Sequence, residues 1–148
     1  MNRVILGLGN LLLGDEGVGV HVAHALLNED APENVTVLDV GTAILDALPA
    51  LETADRIVAV DAVKADGAPG SVYRIPFDDM EPSACLASMH GFDLARALAL
   101  AQRADAPQIT VIGVEPAFIG WSMDLSPEVR ASLPAVLATI RNLLQEND

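Results

Sequence analysis

Short, nearly continuous apolar runs alternate along this chain with stretches whose apolar residues return every three or four positions. The first pattern suits a parallel strand buried on both faces, and the second is the stripe of a helix packed against such a sheet. Residues 4–7, 35–40, 57–60 and 109–114 are runs of the first kind and are read as four parallel, central strands. The run 71–76, SVYRIP, follows the turn-rich DGAPG, alternates apolar with polar residues and leaves no room for a helix after the third strand. It is read as an edge strand, with an antiparallel course open to it.

Between the strands, residues 16–28 set Val18, Val22, Ala25 and Leu26 on one helical face and Gly17, His21, His24 and Asn28 on the other. Further helices are expected over 43–53 and 91–103. The last opens at Ser126 and Pro127, an N-cap followed by a first-turn proline. Its apolar set is Val129, Leu133, Val136, Leu137, Ile140, Leu143 and Leu144, and Pro134 should kink or delay it near its start. The alternation predicts an α/β fold of three layers, α/β/α, around a mostly parallel five-stranded sheet with one antiparallel or edge strand.

At 148 residues the chain is sized for a single domain, and 51% hydrophobic with 20% charged residues excludes disorder. Eight Lys and Arg against 21 Asp and Glu give a net charge of -13, which repels a nucleic-acid backbone or an anionic membrane. The single Cys85 can form neither an internal disulfide nor a cysteine-rich zinc site, and no apolar run is long enough to span a bilayer. The apolar start, MNRVILGLGNLLLGDEG, reads as a strand and loop rather than a signal segment, so a cytoplasmic protein is expected.

Gly7 and Gly9 after the first strand invite a nucleotide-binding reading, but Leu12 stands where a dinucleotide fingerprint needs its third glycine. In a P-loop frame, Gly9 and Gly14 have the right interval, yet Asp15 and Glu16 follow where a lysine and a hydroxyl residue belong. Carboxylates there repel phosphate and attract cations. They also suit the positive end of a helix, so a purely structural role stays open. Asp61 ends the strand RIVAVD, which puts it at the same carboxyl edge of the sheet, either facing a ligand or capping the AVKADG turn. His21 and His24 lie on the polar face of the first helix and are read as solvated. His90, in SASMHGFD, stands where a loop enters the third helix and can turn toward that edge or simply begin the helix. Glu16, Asp61 and His90 together make an O, O, N donor set with open positions, suited to nickel or zinc and weak enough to need further ligands from a partner.

Taken in order, GLGNLLLGDEGVGV, DVGT, VAVDAV, APGSVYRI, SMHGFD and VIGVEP before the LSP helix start resemble the hydrogenase maturation proteases. These endopeptidases trim a C-terminal extension from the large subunit of nickel-iron hydrogenases. The resemblance spans nearly the whole chain. It implies a single hydrogenase maturation protease domain over residues 1–148, phosphorylase/hydrolase-like in fold. It also implies that Glu16, Asp61 and His90 are at once catalytic and metal-binding residues, and that Asp39, Gly41 and Thr42 meet the incoming peptide. The metal would be nickel already inserted into the precursor, with zinc or cadmium able to substitute in the isolated protein. The implied partner is the large-subunit precursor, with no nucleic acid or membrane; a monomer is the default expectation. Where the family usually shows DGGT, this chain has Asp39, Val40, Gly41 and Thr42.

Nickel shared with these residues could polarise the scissile carbonyl or activate a water, with Glu16, Asp61 or Asp15 accepting the proton, so metal-dependent and aspartic-type chemistry both stay open. Cys85 is surrounded by acids that raise a thiol pKa, and Ser83, Ser88 and Ser122 lack a nucleophile elbow. The alternative is a non-catalytic, nickel-sensing assembly factor using the same residues. The segment 77–89 is long enough for a substrate-facing flap or an irregular surface crossing. Trp121 and Phe118, between the last strand and last helix, could bind the partner or merely cover the core, and a single Trp favours the core reading.

Overall fold

The computed structural model describes residues 1–79, 94, 96–101 and 103–146. Cys85, His90, the 77–89 segment beyond Asp79 and the opening of the helix expected over 91–103 lie outside these residues.

Five strands, β1 (Arg3–Leu8), β2 (Val35–Gly41), β3 (Arg56–Ala62), β4 (Val72–Pro76) and β5 (Gln108–Val114), form one sheet in the order β2-β1-β3-β5-β4. β1, β2, β3 and β5 are parallel, and β4 runs antiparallel along β5 at one edge. The expected four parallel strands are present, but only three are central, because β2 forms the other edge. Its side chains show why. Thr36 and Asp39 are exposed in β2, whereas β3 is buried at every position. A strand with only one neighbour keeps polar residues that a fully covered strand cannot hold.

The first helix, α1 (Val18–Leu27), begins later than expected because a 3-10 turn, Gly14–Gly17, precedes it. The helix expected over 43–53 is divided into a 3-10 turn, Ile44–Ala47, and a short α-helix, Leu48–Leu51. Pro49 sits in the first turn of the α-helical part, the one place where its missing N–H costs nothing, so the α-helix starts afresh there. The last helix, Pro127–Gln145, starts where Ser126 and Pro127 predict and runs unbroken through Pro134. Pro134 is exposed, so water can satisfy the carbonyl it leaves unbonded.

Strand alternation divides the core between two layers. Ile5, Val58 and Val60 pack with Val18 and Val22 of α1 and with Val129, Val136 and Ile140 of the last helix. On the opposite face Val4, Leu6, Ile57 and Ala59 pack with Ile44, Ala47 and Leu51, and with Leu94 and Ala97. Among the described residues no helix is long and apolar enough to cross a membrane.

Candidate active site

From β1 the chain passes to β2 on one side and then returns to place β3 on the other. Connections that diverge in this way leave a crevice at the carboxyl ends of β1 and β3, where open α/β sheets bind their ligands. Gly9, directly after β1, lines it. Its φ is 118°, and a Cβ added there would lie 1.9 Å from the Glu16 carbonyl oxygen and 3.1 Å from Asp61 Oδ1. The loop after β1 therefore folds back until the Glu16 backbone lies over Gly9, with the Asp61 carboxylate alongside. A side chain at position 9 would collide with the Glu16 carbonyl and strain the backbone.

Asp61, near the end of β3, is fully buried, and its Oδ1 accepts the Ala62 amide at 2.8 Å. Alternation puts it on the face of Ile57 and Ala59, the face covered by Leu94 and Ala97. Glu16 is half-buried in the Gly14–Gly17 turn. The structure thus brings the Asp61 carboxylate and the Glu16 backbone together beside Gly9, while His90 lies outside the described residues. Among those described, no group of three His, Cys, Asp or Glu side chains could hold a metal.

Two other buried carboxylates bind loops. Asp15 Oδ2 accepts the amides of Ala117 at 2.8 Å and Phe118 at 2.9 Å and the Ser126 hydroxyl at 2.8 Å, while Oδ1 accepts the Ser126 amide at 2.7 Å. The same Ser126 Oγ accepts the Val129 amide at 3.3 Å, so Asp15 orients the cap of the last helix. With its oxygens so engaged, Asp15 is a structural anchor and no candidate for the base. Glu115, directly after β5, accepts the amides of Ala65 at 3.0 Å and Gly67 at 2.6 Å and the Tyr73 hydroxyl at 3.1 Å. Within the AVKADG stretch Ala62 donates to Asp61, while the Ala65 and Gly67 amides go to Glu115. Burial together with the Glu115 carboxylate pushes the Tyr73 phenol above its ordinary value. Neither anchor was legible as such in the sequence; the only hint was an acid directly beside a strand end or a glycine turn.

Of the residues expected to meet substrate, Asp39 is exposed near the end of β2, with Oδ2 2.6 Å from His24 Nε2. Gly41 has a φ of 58°, its carbonyl accepts the Gly9 amide at 3.0 Å, and Thr42 beyond it is exposed. Val40 is the extra residue of a bulge, since Gly7 pairs with Asp39 and Leu8 with Gly41. The single positive φ of this turn falls on Gly41, and Val40 is buried in the core. A second glycine is not required by this geometry. His21 is not solvated as expected: it is half-buried and hydrogen-bonded to the Met123 backbone, with its Nε2 buried and unpartnered. Burial holds its pKa below the ordinary imidazole value.

The family model described as hydrogenase maturation protease matches residues 20–143. The hydrogenase 2 maturation protease of Escherichia coli (strain K12) is 33% identical over 99% of this chain and 93% of its own length. The hydrogenase expression/formation protein HupM of Azotobacter chroococcum is 36% identical over 98% of this chain and 72% of its own length. Among solved structures, the hydrogenase maturating endopeptidase HybD from E. coli superimposes with a TM-score of 0.85 at 30% identity, covering 98% of this chain and 93% of that one. The chain belongs to the hydrogenase maturation protease family and is by that membership a peptidase.

Proposed function

We propose that this protease removes the C-terminal extension from the nickel-loaded large-subunit precursor of a nickel-iron hydrogenase, reading the nickel of its substrate through Glu16, Asp61 and His90. The observation that carries this reading is the crevice between β1 and β3, where the missing side chain of Gly9 lets the Glu16 backbone close in beside the Asp61 carboxylate. Two acids and an imidazole suit a borderline cation.

Nickel held in the precursor would supply a Lewis acid beside the scissile bond. The protein's own part is to fix that bond at the crevice and to receive a proton. Glu16, half-buried and the less enclosed of the two acids, serves as the base, while Asp61, fully buried, holds position. Asp39, Gly41 and Thr42, on the neighbouring strand end, guide the peptide.

Intact mass of the precursor tests this. The nickel-loaded form loses its C-terminal peptide with the native enzyme, the nickel-free form keeps it, and Glu16→Gln slows the cut by about 10²- to 10⁴-fold. Equal cutting of both forms would remove nickel from the reading. Binding without any change in mass would favour the assembly factor.

A further inference from the structure

Leu12, Phe118, Trp121 and Met123 are large apolar residues, and they are exposed by 48, 51, 83 and 59%. They sit on two loops joined into one surface. The Ser122 amide donates to the Leu12 carbonyl at 3.0 Å, the Gly14 amide to the Ser122 carbonyl at 2.7 Å, and the Asp15 amide to the Phe118 carbonyl at 3.0 Å. The Phe118 ring lies against Gly14, where an added Cβ would be 3.0 Å from its Cδ1. Trp121 and Phe118 therefore do not cover the core, contrary to the expectation from sequence. Isolated exposed apolar residues are ordinary, but four on adjoining, hydrogen-bonded loops form a patch of the kind that binds partners.

The patch adjoins the site, since Asp15, whose carboxylate ties down residues 117–126, stands next to Glu16. Its loops are ordered before any partner arrives, which spares binding the cost of ordering them. Its exposed fringe is acidic: from Val114 to Glu128 the exposed charged residues are Asp124 and Glu128, and the first basic residue beyond them is Arg130. A second copy of this chain would bring the same acids face to face, with a net charge of -13 on each molecule.

We propose that these four side chains form a preordered docking rim on which the precursor large subunit seats an apolar segment flanked by basic residues. The proposal rests on the processing reading above and adds where the substrate is gripped. The chain has one tryptophan, so enzyme grown with 5-fluorotryptophan carries a single fluorine resonance. That resonance shifts when nickel-loaded precursor is added, and Trp121→Ser raises KM for processing about tenfold. Leu27→Ser, at an equally exposed leucine at the far end of α1, leaves KM unchanged. If the native enzyme cuts the precursor while the resonance stays put and Trp121→Ser has native KM, the rim is not the docking surface. A resonance that moves with enzyme concentration alone would overturn the proposal in favour of a second copy. A precursor that shifts the resonance but is never cut would support the rim and overturn the processing reading.

Discussion

At the amino edge of the sheet Arg56 and Arg103 gather backbone carbonyls, with Asp55 accepting the Asn2 amide beside them, whereas at the carboxyl edge Asp15 and Glu115 gather backbone amides. Arg56, at the start of β3, donates to the Leu143 carbonyl at 2.6 Å, the Glu146 carbonyl at 3.3 Å and Gln108 Oε1 at 2.8 Å. Arg103 donates to the carbonyls of Leu51 and Ala54 beyond the short helix. At the opposite edge Asp15 and Glu115 collect backbone amides from the loops after β5 and β3. The cause is the direction of the chain. Helices that connect parallel strands end at the amino edge with unbonded carbonyls, while strand-to-helix loops bring unbonded N–H groups to the carboxyl edge. The fold thus calls for acids where the ligand crevice opens. An acid at that edge is not by itself a sign of chemistry, and Asp61 is set apart because its carboxylate lies alongside Gly9 in the crevice.

The contrast can be tested one edge at a time. Asp15→Ala strips the acceptor from three buried or half-buried amides and a hydroxyl, and should cost about 3–5 kcal/mol in urea unfolding. It should also loosen residues 117–126, seen as faster amide exchange, and weaken precursor binding with them. Arg56→Met keeps the length of the side chain but removes the donors at the end of the last helix. Its expected cost is about 2–3 kcal/mol, with faster exchange near Leu143 and none near Phe118. If the two edges act independently, the double variant should equal the sum of the single ones within about 0.5 kcal/mol.

The smallest effect concerns His21. Burial lowers its pKa, His24 and Arg130 add to the lowering, and the Met123 backbone and Asp124 oppose it. The native protein therefore resists a proton that the unfolded chain accepts near the ordinary value of 6.5. Stability from this source is intact above that pH and falls as the pH drops below it. Because part of the ring meets water, a fall in Tm of only about 1–2 °C between pH 7.5 and 5.5 is expected, absent in His21→Gln.

Local pattern carried much of the fold. Continuous apolar runs marked the parallel strands, the alternation in SVYRIP marked the antiparallel edge strand β4, and Ser126 with Pro127 marked the start of the last helix. Each of these depends on neighbours within a turn or a strand, which is the range over which a sequence speaks for itself. The position of Asp61 at the crevice was legible for the same reason, since a strand end is a local feature.

Tertiary structure alone decided which acids serve as anchors. Asp15 finds its partners 102 to 111 residues along the chain, and Glu115 finds its own 42 to 50 residues back. It also put β2 at an edge, made Val40 a bulge and left Trp121 exposed. A carboxylate in a sequence reads the same whether it will gather loop amides or face a substrate. Only the packing of distant segments determines which donors reach it.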